Sequence, residues 1–154
     1  MVSMTTDRKA METKLLQAFE ETVPFNRVLG LKVESLDPDA PKLRFAMKPD
    51  LIGNPRRQIL HGGVIASVLD VAAGFAIHLA VIKNRDEQPP PEANLPAIGT
   101  IDLRVDYLRP GRGEYFIATG RVVRLGNRVA VAHMDLVNDS GELIATGSAA
   151  YMVG

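Results

Sequence analysis

The spacing of apolar positions changes three times along this chain, and each spacing predicts a different element. Met11, Leu15, Phe19 and Val23 recur every fourth residue, with Leu16 beside them. That spacing predicts an amphipathic helix over residues 6–22, within a helical N-terminal segment 1–23. Thr6 or Asp7 is its expected cap and Pro24 its stop. The run Pro24 to Gly30 reads as a short turn of helix closed by glycine. Leu31 to Asp37 and Lys42 to Lys48 read as a strand pair around Asp37-Pro38-Asp39-Ala40-Pro41. A loop over residues 49–60 leads into a nearly continuous apolar stretch, residues 61–84, read as one long central helix.

Residues 85–97 contain Pro89-Pro90-Pro91 and read as an exposed, mobile loop. Strand spacing then fills the last third. Ile101, Leu103, Val105 and Tyr107 alternate with Asp102, Arg104 and Asp106, which predicts one buried and one wet face. Pro110-Gly111-Arg112-Gly113, Gly126-Asn127 and Asn138-Asp139-Ser140-Gly141 each turn the chain. Strands are expected over 114–124, 128–137 and 142–153. Tight turns between them favour an antiparallel meander. The expected architecture is α+β, a single domain over residues 1–154: an antiparallel sheet of five or six strands curved around one long helix. A helix apolar on every side must be covered on every side.

That helix carries the candidate chemistry. It opens at His61-Gly62-Gly63, and Asp70 is its one acid. A helix start offers free backbone N–H groups and a positive dipole end to an incoming oxygen. A carboxylate among Val, Ala, Ile and Leu is costly unless it is satisfied or used. An oxyanion donor and an acid together make half of an acyl-transfer site. Yet Gly62 and Asp70 lie eight residues apart, about 12 Å along one helix. For both to act on one carbonyl, they must come from two copies of the chain.

Composition narrows the field. The chain has 154 residues, 46% hydrophobic and 23% charged, with eighteen basic and eighteen acidic residues. This is an ordinary globular balance with no electrostatic pull toward nucleic acid or an anionic membrane. Cysteine is absent, which leaves no thiolate nucleophile or Cys metal site and is consistent with the cytoplasm. No apolar leader opens the chain. Residues 62–82 approach membrane-span length, but Asp70 at their centre and strand patterns on either side favour a buried core helix. His78 and His133 have no partners at a metal spacing and read as structural; no metal or cofactor is expected. A lipase reading of the HGG run needs a G-x-S-x-G elbow, and none is present.

The segment HGGVIASVLD resembles the HGG-x6-D signature of hotdog-fold acyl-CoA thioesterases of the PaaI-like type. PFNRVLG, GTIDLRVDYLRPGRGE, GNRVAVAH and ATGSAAYMVG extend the resemblance over residues 24–154. It implies a sheet wrapped around a central helix, dimers that often pair again into tetramers, and hydrolysis of fatty acyl-CoA, of medium to long chain. Gly62, preceded by His61, matches the glycine whose N–H meets the thioester oxygen. Asp70 matches the helix carboxylate, as general base or as nucleophile. Thr100 matches the strand hydroxyl that holds water. Asn54 matches a loop Asn that in many relatives lies one residue nearer the HGG and is followed by Gly. Gly63 and the loop cations Arg56, Arg57, Arg109 and Arg112 are the expected contacts to substrate, the arginines to CoA phosphates. The same fold also serves hydratases or dehydratases and non-catalytic acyl-CoA binders. The former add a His motif not found here; the latter release no thiol.

Overall fold

One central helix lies against a six-stranded antiparallel sheet, as the apolar pattern of residues 61–84 requires. The computed structural model describes residues 2–84 and 94–154. In chain order the elements are α1 (Val2–Gln17), a π-helical turn (Ala18–Thr22), α2 (Pro24–Leu29), β1 (Lys32–Ser35) and β2 (Lys42–Ala46). A 3-10 turn (Pro49–Leu51), β3 (Ile52–Asn54), β4 (Ile59–Leu60) and α3 (Gly62–Asn84) follow. The chain ends with β5 (Ile98–Tyr107), β6 (Tyr115–Leu125), β7 (Val129–Asn138) and β8 (Leu143–Val153). The main sheet runs β1-β2-β6-β7-β8-β5, all antiparallel, and β3 and β4 form a separate hairpin.

α3 packs on β5 to β8. Its middle is built from small residues, and the sheet comes unusually close there. A Cβ at Gly120 would fall 2.6 Å from Ala72 O and 2.9 Å from Ala76 Cβ. Glycine on β6 and alanine on α3 therefore let helix and sheet meet with backbone nearly touching backbone. The helix is apolar and long enough to cross a membrane, but its apolar side chains fill the core with Phe45, Phe116 and Met134.

Several details depart from the pattern-based expectation. α1 begins at Val2, so Thr6 and Asp7 lie inside the helix and not at its cap. Nothing in Val2 to Thr5 stops a helix: the segment has neither Gly nor Pro. The helix also does not stay α-helical to Thr22. Val23 N–H reaches back to Ala18 O at 3.0 Å. This extra residue per turn brings the Phe19 ring to 5.1 Å from that of Phe75 and leaves Val23 exposed. The supposed loop 49–60 contains the β3–β4 hairpin, too short for strand periodicity to register. Most of the proline-rich loop, residues 85–93, lies outside the described residues, and 94–97 enter β5 without regular structure.

The turn at Pro110 does not make a hairpin of β5 and β6. β5 pairs with β8, and β6 lies between β2 and β7. Leu108 and Arg109 N–H both bind Ile144 O, and Leu60 N–H binds Gly111 O at 3.0 Å. This segment therefore carries the chain past β8 and β7. Turn residues mark where a chain changes direction, not which strand becomes its neighbour.

The expected buried face of β5 is also corrected. Ile101 is 56% and Tyr107 55% exposed, while Leu103 and Val105 pack on the core. For Ile101 the cause is a β-bulge; Tyr107 keeps step with Leu103 and Val105, and its hydroxyl meets Gly62 O at the tip of α3. Thr100 pairs with Tyr151 and Asp102 with Ala150, so Ile101 is the extra residue. Asp102 Oδ1 accepts the Ala150 N–H at 3.0 Å. A bulge shifts the alternation by one, so Thr100 joins Leu103 and Val105 on the helix-facing side and Ile101 is expelled.

Candidate active site

The tip of α3 is assembled from nearby sequence. His61 Nδ1 accepts the Gly63 N–H at 2.8 Å, and His61 O accepts the Val64 and Ile65 N–H groups. The imidazole thus caps the helix, with its proton on Nε2. His61 N–H binds Leu51 O at 2.9 Å. The β3 backbone presses on it from the other side: a Cβ at Gly53 would stand 2.6 Å from His61 Cα. Gly62 precedes the amide that His61 engages, at the position where a helix leaves its N–H without an intrahelical partner. Tyr107, at the end of β5, donates its hydroxyl to Gly62 O at 2.9 Å. A Cβ at Gly62 would meet the Tyr107 ring at 3.4 Å.

The middle of α3 is assembled from distant sequence. Asp70 is half-buried and belongs to no ion pair among the described residues. Thr100 of β5 donates Oγ1–H to Asp70 Oδ1 at 2.9 Å. Tyr151 of β8 places its hydroxyl against the same Oδ1 and against the Asp70 backbone oxygen, the latter at 2.6 Å. Burial, and then the hydrogen bond and charge of Asp70, push the Tyr151 phenol well above its ordinary range. It is therefore a neutral donor.

Thus the structure brings Asp70 and Thr100 together, and His61, Gly62 and Gly63 together, as two groups on one helix. Asn54 belongs to the tip side. Its Oδ1 accepts the Arg57 N–H at 3.2 Å, which closes the β3–β4 turn. Arg56 and Arg57 are exposed on that turn. The segment carrying Arg109 and Arg112 is bound to β4 through Gly111 O, and so lies beside the same hairpin. Arg112 is exposed, whereas Arg109 is engaged with Glu142 at 3.4 Å and Leu143 O at 2.9 Å.

His78 lies off the site. Its Nδ1 donates to Gly74 O at 2.7 Å, and its ring meets Phe19 edge-on. Burial lowers its basicity, and the carbonyls of Gly74 and Pro96 partly offset this. Among the described residues no group of three or more His, Asp or Glu side chains is placed to hold a metal.

Sequence reasoning missed Tyr151 and Tyr107. A signal for Tyr151 exists. Inward positions of β8 read Ala145, Gly147, Ala149, then Tyr151. One large ring in a row of small residues needs a dedicated space, and a buried phenol needs a partner. Tyr107 had no comparable signal.

Comparison with known proteins places this geometry in context. A family model described as the thioesterase superfamily matches residues 57–145. The medium/long-chain acyl-CoA thioesterase YigI of Escherichia coli is 46% identical over 140 residues, covering 90% of each chain. A crystal structure from Shewanella oneidensis, described as related to the thioesterase superfamily, superposes with a TM-score of 0.85 at 43% identity. It covers 96% of this chain and 97% of its own. The E. coli PaaI protein superposes at 0.75 over 94% of each chain; at 20% identity this is a likeness of fold.

Proposed function

The chain belongs to the thioesterase superfamily, and from that premise we propose that it hydrolyses fatty acyl-CoA thioesters, of medium to long chain, to free acid and CoA. One observation carries the reading. A helix with an open glycine tip also bears a half-buried carboxylate, and two hydroxyls hold one of that carboxylate's oxygens. The chain-length preference rests on the likeness to YigI.

In the proposed site, Gly62 N–H and the helix dipole of one protomer receive the thioester oxygen as it becomes an oxyanion. Gly63 and His61 hold the tip in shape. Asp70 of the partner, with Thr100 beside it, acts on water. As general base it takes the proton while the water oxygen bonds to the carbonyl carbon. The tetrahedral intermediate then breaks its C–S bond, and CoA leaves as a thiolate that is protonated. As nucleophile, Asp70 instead bonds to the carbonyl carbon, expels the thiolate and leaves an anhydride that water opens. Arg56, Arg57 and Arg112 are placed to meet CoA phosphates. Arg109 would have to leave Glu142 to join them. Asn54 shapes the same loop.

Two protomers are required by distance, since the tip and Asp70 of one helix stand about 12 Å apart. The open edge of β5 supports such an assembly. It lies at the border of the sheet and exposes Ile101, Tyr107 and Leu108. An apolar edge of this kind calls for cover, and a second copy related by a two-fold axis supplies it. A dimer, or a dimer of dimers, in the cytoplasm completes the proposal.

The test is thiol release from a panel of acyl-CoAs of increasing chain length. The reading expects turnover that peaks at medium to long chains. Binding without thiol release would instead mark a non-catalytic acyl-CoA binder.

A further inference from the structure

We propose that Tyr151 is a positioning residue for Asp70: together with Thr100 it ties down Oδ1 and leaves Oδ2 as the oxygen that acts on water. This rests on the reading of Asp70 given above. The family model matches residues 57–145, short of Tyr151, and the resemblance in ATGSAAYMVG assigns Tyr151 no role.

Three observations carry the proposal. Tyr151 and Thr100 are direct partners across β5 and β8. The bulge at Ile101 turns Thr100 to the Tyr151 side of the sheet, so both hydroxyls reach Oδ1. The Tyr151 hydroxyl also lies 2.6 Å from the Asp70 backbone oxygen. It therefore fixes the carboxylate relative to the helix as well as relative to the strand. Among the described residues, the side chains hydrogen-bonded to Asp70 are these two neutral hydroxyls, one from β5 and one from β8, and no charged side chain is paired with it. An acid tethered at one oxygen presents the other at a fixed angle. A loss of angle or position of this kind costs rate without loss of binding.

The ring rests against the helix backbone, with Cε1 3.7 Å from a Cβ built at Gly74. Tyr151→Phe keeps that packing and deletes only the hydroxyl. We expect kcat to fall about tenfold with KM unchanged. Asp70→Ala is measured in parallel, with circular dichroism and thermal melts on both variants. If Asp70→Ala is inactive and Tyr151→Phe keeps the wild-type kcat, the positioning role falls and the Asp70 reading stands. If the loss in Tyr151→Phe matches a loss of folded protein, the role is purely structural and the proposal falls. If Asp70→Ala retains activity, both readings fall.

Discussion

The first turn of α3 and its middle turn lie on the same rigid helix, yet they are assembled differently. At the tip, His61 caps Gly63 two residues away, and the 3-10 turn and short hairpin just before it supply Leu51 and Gly53. At the middle, Asp70 takes Thr100 from thirty residues away and Tyr151 from eighty-one. The tip is built mostly from a local run, with Tyr107 of β5 added once the sheet has formed. The middle exists only once β5 and β8 pair in one register, with a bulge in the right place. A hydrolytic site that joins the two thus combines a part specified locally with one specified by the sheet.

The largest effect expected from breaking the middle comes from Asp70→Ala. Thiol release should fall at least about 100-fold, with oligomeric state unchanged by size-exclusion chromatography. Near-wild-type turnover would remove Asp70 from the chemistry. Inactivation through the tip is expected from Gly62→Val: its Cβ already meets the Tyr107 ring at 3.4 Å, and the γ-methyls occupy the space beside the Gly62 N–H. Mixing this inactive variant with inactive Asp70→Ala should restore part of the activity, because hybrid dimers hold one intact site. Proven subunit exchange without rescue would show that tip and carboxylate do not meet across protomers.

A subtler break removes one hydroxyl. Thr100→Val keeps the β-branched shape and deletes the Oγ1–H that Asp70 Oδ1 accepts. We expect about a tenfold fall in kcat; an unchanged kcat would show that Thr100 is dispensable. The smallest effect lies on the same helix beyond the site. Burial holds His78 below its ordinary value of 6.5, so the unfolded chain takes up a proton that the folded chain resists. Stability is then full above pH 6.5 and declines as pH falls below it. His78→Gln should flatten that decline by about 2–4 °C in Tm for each kcal/mol relieved. An identical pH dependence in the variant would assign the decline to other groups.

The legible and illegible parts of the molecule follow the same division. Asp70, Gly62 and His61 stand out because an acid and two glycines interrupt an apolar helix. Thr100 was reached only through likeness to a family; plain alternation puts it on the wet face with Asp102. Tyr151 was not reached at all, since nothing in its own strand names Asp70 as its partner.

The amino-acid order alone set the central helix and the long strands, which helix is buried, and where a glycine tip and an acid lie along it. Those properties depend on neighbours within a few residues, through turn geometry, capping and periodicity. The folded chain decided that β5 joins β8 and not β6, that Ile101 is squeezed out, and that two hydroxyls converge on one oxygen of Asp70. Strand pairing is a contact between distant segments, and one inserted residue reverses the face of those that precede it. That reversal leaves no local trace in the sequence.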